Sequence, residues 1–267
     1  MINFPNAKIN IGLSITSHRP DNYHNLETIF YPICIKDVLE IVESKKLAFS
    51  SSGLSIPGNE VDNLCLKAYH LIKQDISLPP VHIHLHKHIP IGAGLGGGSS
   101  DAAFCIKLFD AKFSLNLSSK QMEHYAKQLG ADCAFFIRNE TVLATEKGDQ
   151  FQPFNLTLKN YHIIVVVPPI HVSTKEAYND IIPSKLNSSI TKSSLLPIEK
   201  WKQTIKNDFE ITVFKKYPAI ETIKNTLYEA GALYASMSGS GSSIYGIFKN
   251  KIKLPALEKN NQVFYDV

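Results

Sequence analysis

From Ala7 onward apolar and polar residues alternate, with Ala7, Ile9, Ile11, Leu13 and Ile15 set against Lys8, Asn10, Gly12 and Ser14. A period of two is the pleat of a β-strand, so this stretch predicts a half-buried strand that turns Lys8 and Asn10 away from the core. Turn chemistry follows over residues 18–24 (HRPDNYH), then apolar runs over 26–33 and 38–42. The Ser/Gly/Pro-rich residues 50–59 predict a loop. Asp62 then predicts a helix cap, with Leu64, Ala68, Leu71 and Ile72 on the apolar side of the helix. Residues 81–88 alternate again and predict a second half-buried strand, whose polar face carries His82, His84, His86 and His88.

After a glycine-rich loop the period changes to that of a helix, with Ala102, Ala103, Ile106, Phe109 and Phe113 on one face. Ser118 with Gln121 has the spacing of a capping box, and the helix it opens stops at Gly130. Residues 161–167 form a continuous apolar run and predict a buried strand. Ser173 with Glu176 predicts the cap of a helix carrying Tyr178. The Ser-rich residues 184–194 predict a surface loop, and a helix from Pro218 ends near Gly231. No repeat of solenoid length appears. Strands and helices alternate irregularly, which favours an α+β fold over a doubly wound parallel sheet. The polar residues 148–160 are the natural seam, dividing the chain into 1–152 and 153–267.

Composition narrows the class. The chain has 267 residues, 44% hydrophobic and 19% charged, with a formal net charge of +4. It can bury a core, and its positive excess is spread without any basic block, so nucleic acid is not an expected partner. The start lacks the features of a signal peptide, and no apolar stretch is long enough to span a bilayer. Membrane association is therefore not expected, and a cytoplasmic location is. Cys34, Cys65, Cys105 and Cys133 stand singly, which predicts reduced, buried thiols. Four histidines on one straight strand spread over roughly 20 Å, too far for one tetrahedral ion. A solvated sheet face is the preferred reading there, and no metal ligands are assigned.

The densest chemistry lies in Pro90-Ile91-Gly92-Ala93-Gly94-Leu95-Gly96-Gly97-Gly98-Ser99-Ser100, which runs into the amphipathic helix. Its glycines let backbone amides approach an anion, and the helix start offers free N–H groups and partial positive charge. Such a run predicts a polyphosphate cradle. A Walker A loop would need Gly-Lys-Ser/Thr, which is missing, and a dinucleotide fingerprint would need a fully apolar strand before it, where residues 81–88 are half polar.

This loop, continued by Asp101-Ala102-Ala103, resembles the second motif of the GHMP kinases, in the triple-glycine form of the 4-diphosphocytidyl-2-C-methyl-D-erythritol kinases. Residues 7–13 (AKINIGL) with 19–24 and 28–30 resemble the first motif of that family, and 237–243 (MSGSGSS) the third. Asp62-Asn63-Leu64, Gly130-Ala131-Asp132 and residues 207–210 (NDFE) are similar to shorter signatures, so the resemblance spans nearly the whole chain in order. It departs at Asn22, where glycine is usual, at Ser240 and Ser242, and in the tail after Lys249.

The resemblance implies a two-part α+β fold, with a ribosomal S5 domain 2-like N-terminal part and a ferredoxin-like C-terminal part. It implies ATP-dependent phosphorylation of a cytidyl alcohol, with Mg²⁺ and with Ser99 or Ser100 as candidate contacts for the ion. Asp132 is implied as catalytic, beside the bland alternative of an N-cap, and Lys8 as its partner. A carboxylate can accept a hydroxyl proton, and an ammonium can stabilise the developing alkoxide. Asn63 and Lys87 are implied beside the adenosine, and Asn10 at the acceptor. Tyr23 and Tyr178 are implied on the faces of a cytosine, and His24 at its edge. Gly239, Ser240 and Gly241 belong to the third motif. The expected assembly is a monomer or weak homodimer. The rival readings are a kinase of the same superfamily acting on mevalonate, homoserine or a sugar, a catalytically silent nucleotide binder, and a nicotinamide-binding oxidoreductase.

Overall fold

The computed structural model describes residues 1–178, 181, 183 and 189–267. Its strands are β1 (Ile2–Asn3), β2 (Asn6–His18), β3 (His24–Lys36), β4 (Val38–Glu43), β5 (Ala48–Gly53), β6 (Val81–Lys87), β7 (Val142–Thr145) and β8 (Gln150–Pro153). They continue with β9 (His162–Val167), β10 (Tyr234–Met237), β11 (Ile244–Phe248) and β12 (Gln262–Tyr265). The helices are α1 (Leu64–Asp75), α2 (Gly97–Phe113), α3 (Ser119–Leu129), α4 (Phe135–Arg138) and α5 (Thr174–Ala177). Then come α6 (Ile190–Ser194), α7 (Ile198–Thr204), α8 (Phe209–Lys216), α9 (Pro218–Glu229) and α10 (Pro255–Glu258). Among these, no helix is long and apolar enough to cross a membrane.

The chain divides into two interleaved compact units. The first comprises residues 1–7, 35–91 and 96–140. Its sheet has the order β1-β4-β6-β5, with β4 antiparallel and β5 parallel to β6. Val81, Ile83 and Leu85 fill the inner face of β6. The helix α1 packs on α2, and α2 in turn packs on α3 and α4. Ala102, Ala103, Ile106 and Phe109 of α2 are all buried, as their 3.6-residue spacing predicts. The capping box of Ser118 and Gln121 forms, and α3 stops at Gly130.

The second unit comprises residues 8–34, 92–95 and 141–267, and so includes the predicted seam at 148–160. It holds two sheets, β2-β3-β7-β8 and β10-β11-β9-β12. In the latter β9 pairs antiparallel with both β11 and β12, and it is buried from Ile163 to Val167. Against it lie α8 and α9, whose Phe209, Val213, Ile220, Ile223 and Leu227 join one apolar cluster. Each such side chain contributes about 1.5–3 kcal/mol on burial. The sheets are largely antiparallel and the helices segregated, so the fold is α+β as expected.

Five expectations change. The strand β2 is not half-buried, because its polar face is covered too and Lys8 and Asn10 are each only 3% exposed. Residues 50–53 are not loop but part of β5, because their backbone pairs in parallel register with β6, a pairing that the Ser50 and Ser52 hydroxyls supplement through the β6 histidines. Asn63, not Asp62, caps α1, since its side chain accepts from Cys65 N at 2.9 Å while Asp62 ends a 3₁₀ turn. Residues 190–194 are the short helix α6, capped by Ser189, and residues 184–188 of that predicted loop lie outside the described residues. Cys34 is exposed, unlike the other three cysteines, and all four are free thiols.

Candidate active site

In the first unit the glycine loop is framed by β6 and α2. Gly96 caps α2 in the left-handed conformation (φ 71°), a shape that glycine adopts without strain. Ser100 N bonds back to Gly96 O at 2.9 Å, which begins the helical ladder. The amides of Gly97, Gly98 and Ser99 precede that bond at the helix end, where N–H groups lack an intrahelical acceptor. Ser100 Oγ is buried and has no hydrogen-bond partner among the described residues. Hydroxyls are oxygen ligands that Mg²⁺ accepts beside phosphate and water, so Ser99 and Ser100 fit that ion's donor chemistry.

Asp132 is half-buried in the turn between α3 and α4. The N-cap of α4 is Ala134, so Asp132 does not cap that helix. Its neighbour Cys133 is linked to the loop. Burial pushes the Cys133 thiol up to about 12 and Asp132 adds to that, while a side-chain hydrogen bond to Ser99 pulls the other way. Residue 133 and the start of α2 thus touch inside one unit.

Lys87, on the last position of β6, is 3% exposed and forms ion pairs with Asp37 and with Asp101, the latter at 2.7 Å. Burial lowers the affinity of its ammonium for the proton, yet Asp101 and Asp37 together outweigh burial and hold its pKa above the ordinary lysine value. Burial pushes the Asp101 carboxyl up to about 8 against the pull of Lys87. Asn63 lies at the start of α1 in the same unit, with its side chain engaged in the cap.

In the second unit the first motif, the middle of the glycine loop and the third motif hydrogen-bond to one another. Lys8 Nζ donates to Asn10 Oδ1 at 2.6 Å and to Gly94 O at 3.4 Å, and it lies 4.8 Å from the Phe30 ring centre. Asn10 Nδ2 donates to Thr28 Oγ1, and Asn10 N donates to Ser238 Oγ at 3.2 Å. Ser238 Oγ donates to Gly94 O at 2.8 Å, and Ser243 N to Ala93 O at 3.2 Å. A Cβ on Gly94 would sit 2.0 Å from Ser238 O, so this glycine is required by close backbone approach as well as by its φ of 77°. A Cβ on Gly239 would lie 3.2 Å from Asn10 Oδ1 and 3.4 Å from Gly94 O, and Gly241 N bonds Ser238 O. Ser240 reaches Thr174 at 3.5 Å.

Of the three aromatic residues, His24 and Tyr178 lie together and Tyr23 stands apart from them. His24 stacks on Tyr178, with ring centres 4.9 Å apart and planes 24° apart, and Tyr178 meets the edge of Phe209. His24 Nε2 lies 3.0 Å from His18 Nε2, and burial, aided by His18, lowers the His24 pKa. Tyr23 is 61% exposed, beneath the Lys147 ammonium.

Sequence reasoning missed Thr28, Ser238 and His171 as neighbours of these groups. It also missed that Asn207 holds the third motif, donating to Met237 O and Gly239 O at 2.8 Å each. His171 lies against Gly92, where a Cβ would meet its ring at 2.8 Å. Ser238 stood inside a quoted motif, and Asn207 opened a quoted signature. Nothing in the pattern marked His171.

Comparison with known proteins gives the family of the chain. The profile of the GHMP kinases N terminal domain matches residues 63–140, and that of the GHMP kinases C terminal matches 195–265. The chain is 55% identical over 252 residues to a 4-diphosphocytidyl-2-C-methyl-D-erythritol kinase of Cytophaga hutchinsonii, covering 94% of this chain and 93% of the relative. It is 53% identical to the protein of the same name from Bacteroides thetaiotaomicron, covering 99% and 98%. A crystal structure of 4-(cytidine 5'-diphospho)-2C-methyl-D-erythritol kinase superposes with a TM-score of 0.82 at 27% identity, over 99% of this chain and 98% of that one. The mevalonate kinase of Methanococcus jannaschii, at 18% identity and a TM-score of 0.74 over 99% and 97%, shares the fold.

Proposed function

We infer the reaction from a plain premise: this chain belongs to the 4-diphosphocytidyl-2-C-methyl-D-erythritol kinases, within the GHMP kinases. It transfers the γ-phosphoryl group of ATP to the 2-hydroxyl of 4-diphosphocytidyl-2-C-methyl-D-erythritol, in the non-mevalonate route to isoprenoids. The observation that carries this reading is the mutual bonding of the three glycine- and lysine-bearing motifs at Lys8, Gly94 and Ser238. Motifs far apart in sequence are held as one constellation, which a silent nucleotide binder would not need. A division of the chain near residue 152 falls between the two matched profiles, which end at 140 and begin at 195.

The phosphates of ATP lie along residues 90–100, received by the amides of Gly97, Gly98 and Ser99. Asn63 stands beside the adenosine. Asp132 accepts the proton of the acceptor hydroxyl, and the Lys8 ammonium, aimed by Asn10, stabilises the oxygen as it becomes nucleophilic. Ser99 and Ser100 are the residues that would hold Mg²⁺, which when bound would supply charge neutralisation for the nucleotide phosphates. Asn10 orients the acceptor, Tyr178 and Tyr23 offer aromatic faces to its cytosine, and His24 reads the base edge. Gly239, Ser240 and Gly241 shape the loop that closes on Gly94.

A coupled ATP assay across candidate alcohols tests the reaction. The cytidyl alcohol should be used, and free methylerythritol phosphate, mevalonate and homoserine should not. Asp132→Asn should lower kcat by about 10²–10⁴-fold while ATP affinity stays near normal. Turnover above half the wild-type rate, where chemistry limits, would remove Asp132 from the proton-accepting role.

A further inference from the structure

The two ends of the glycine loop are tied together beneath it by buried charge. At the entry, Asp37 Oδ1 accepts from His88 N at 2.6 Å and from Ile89 N at 2.8 Å, the two residues before Pro90. At the far end, Asp101 belongs to the second turn of α2. Lys87 Nζ bridges them, donating to Asp37 Oδ2 and to Asp101 Oδ2. All three side chains are at most 4% exposed. The ammonium also abuts the first helical residue of the cradle, since a Cβ on Gly97 would lie 2.9 Å from Lys87 Nζ and 2.9 Å from Ile89 Cγ2.

We propose that Asp37, Lys87 and Asp101 form an internal charge cluster that sets the first turn of α2 against the loop entry, and that Lys87 serves the nucleotide only by positioning that turn. The inference rests on the reading that ATP phosphates occupy the glycine loop, and it gives Lys87 a different task from contact with the adenosine. A lysine facing the ligand would need an open path to it, whereas this one is enclosed by two carboxylates and by the Gly97 backbone. Asp37 and Asp101 become positioning residues by the same geometry, one for the strand-to-loop junction and one for the helix.

The cluster makes a prediction that a direct contact does not share. Removing one member of a buried ion cluster leaves uncompensated charge, whereas replacing all its members by neutral groups is tolerated far better. In calorimetric titrations of the full chain with a non-hydrolysable ATP analogue, Lys87→Met should weaken binding at least tenfold, because Asp37 and Asp101 then lose their shared counter-charge and the first turn of α2 loses its tie to the loop entry. The triple change Asp37→Asn, Lys87→Met and Asp101→Asn should bring the dissociation constant back to within about threefold of wild type. A folded triple variant that stays tenfold weaker, or a Lys87→Met variant with wild-type affinity, overturns the proposal.

A second measurement needs no variant. Acetylation of the native protein by an N-hydroxysuccinimide ester, read by mass spectrometry, should leave Lys87 unmodified with and without the ATP analogue. Ready acetylation that the analogue blocks would mean that Lys87 touches the nucleotide, and would also overturn the proposal. Absence of ATP binding by the wild-type chain would instead sink the underlying reading, an outcome that the titration separates from failure of the cluster.

Discussion

The strands β2 and β6 carry the same signature, apolar residues alternating with polar ones, and the molecule uses their polar faces in opposite ways. On β2 that face is buried, and Lys8 and Asn10 bond into the loop at Gly94 and the third motif at Ser238. On β6 it is a partly solvated ladder, in which Ser50 Oγ lies 2.8 Å from both His82 Nε2 and His84 Nδ1. Ser52 Oγ repeats the pattern at 3.0 Å with His84 Nε2 and His86 Nδ1. Period two reports only that two faces differ, and it does not report what covers the second. Burial of a polar face costs free energy unless each group is bonded, so a chain that buries one has other business there.

If this contrast is correct, the largest effect comes from the buried face. Lys8→Met keeps the length of the side chain and removes its charge, and it should lower kcat by about 10²–10³-fold, as loss of one preorganised donor does. Single-turnover rates at saturating ATP check it. A loss of less than fivefold, with wild-type melting, would make Lys8 a packing residue and erase the difference between the strands.

Next comes the glycine that joins the motifs of β2, the loop and residues 237–243. Gly94→Ala places a Cβ against Ser238 O at φ 77°. The strain should cost about 1–3 kcal/mol and lower both stability and turnover. Thermal melting beside the coupled assay separates the two, and wild-type values in both would show that the motifs do not need this approach.

Tyr178 should matter less than either. Its ring stacks with His24 in the second unit, and Tyr178→Ala should reduce kcat/KM for the cytidyl acceptor by roughly ten- to a hundredfold and spare ATP affinity. Tyr178→Phe should be nearly silent. Equal use of the uridine analogue by the wild-type enzyme would break the cytosine assignment.

The sequence made some of this legible and hid the rest for physical reasons. Local signals survived folding: the capping box at Ser118, the apolar run of β9, the stop at Gly130 and the start of α2 after the glycine loop all appear where pattern put them. What failed depended on partners distant in sequence. Residues 50–53 look like loop because serine is a weak strand former, and pairing with β6, some thirty residues on, makes them a strand. Lys87 falls at the end of an alternating run, and no local pattern pairs it with Asp37, fifty residues earlier, and with Asp101. Lys8 reads as a surface lysine until the third motif, more than two hundred residues away, closes over its strand. Motif order recovered the candidate site where periodicity alone would have lost it.

The smallest effect should come from the ladder on β6, and that is what makes it a useful control. His84 sits between Ser50 and Ser52 and stands opposite Glu40 of β4, so it is the best-connected residue of that face. Its bonds are shared with solvent, and such hydrogen bonds contribute about 0.5–1.5 kcal/mol net. His84→Ala also removes some cross-strand packing, whose contribution per pair is roughly 0.2–1 kcal/mol. The variant should therefore melt slightly earlier, by an amount within about 2 kcal/mol of stability, and its kcat and both KM values should stay within about twofold of wild type. Chemical denaturation measures the first quantity and the coupled assay the second. A tenfold fall in kcat/KM with unchanged stability would mean that the outer face of β6 takes part in the reaction. The contrast between the two strands would then have to be given up, because both polar faces would serve the site.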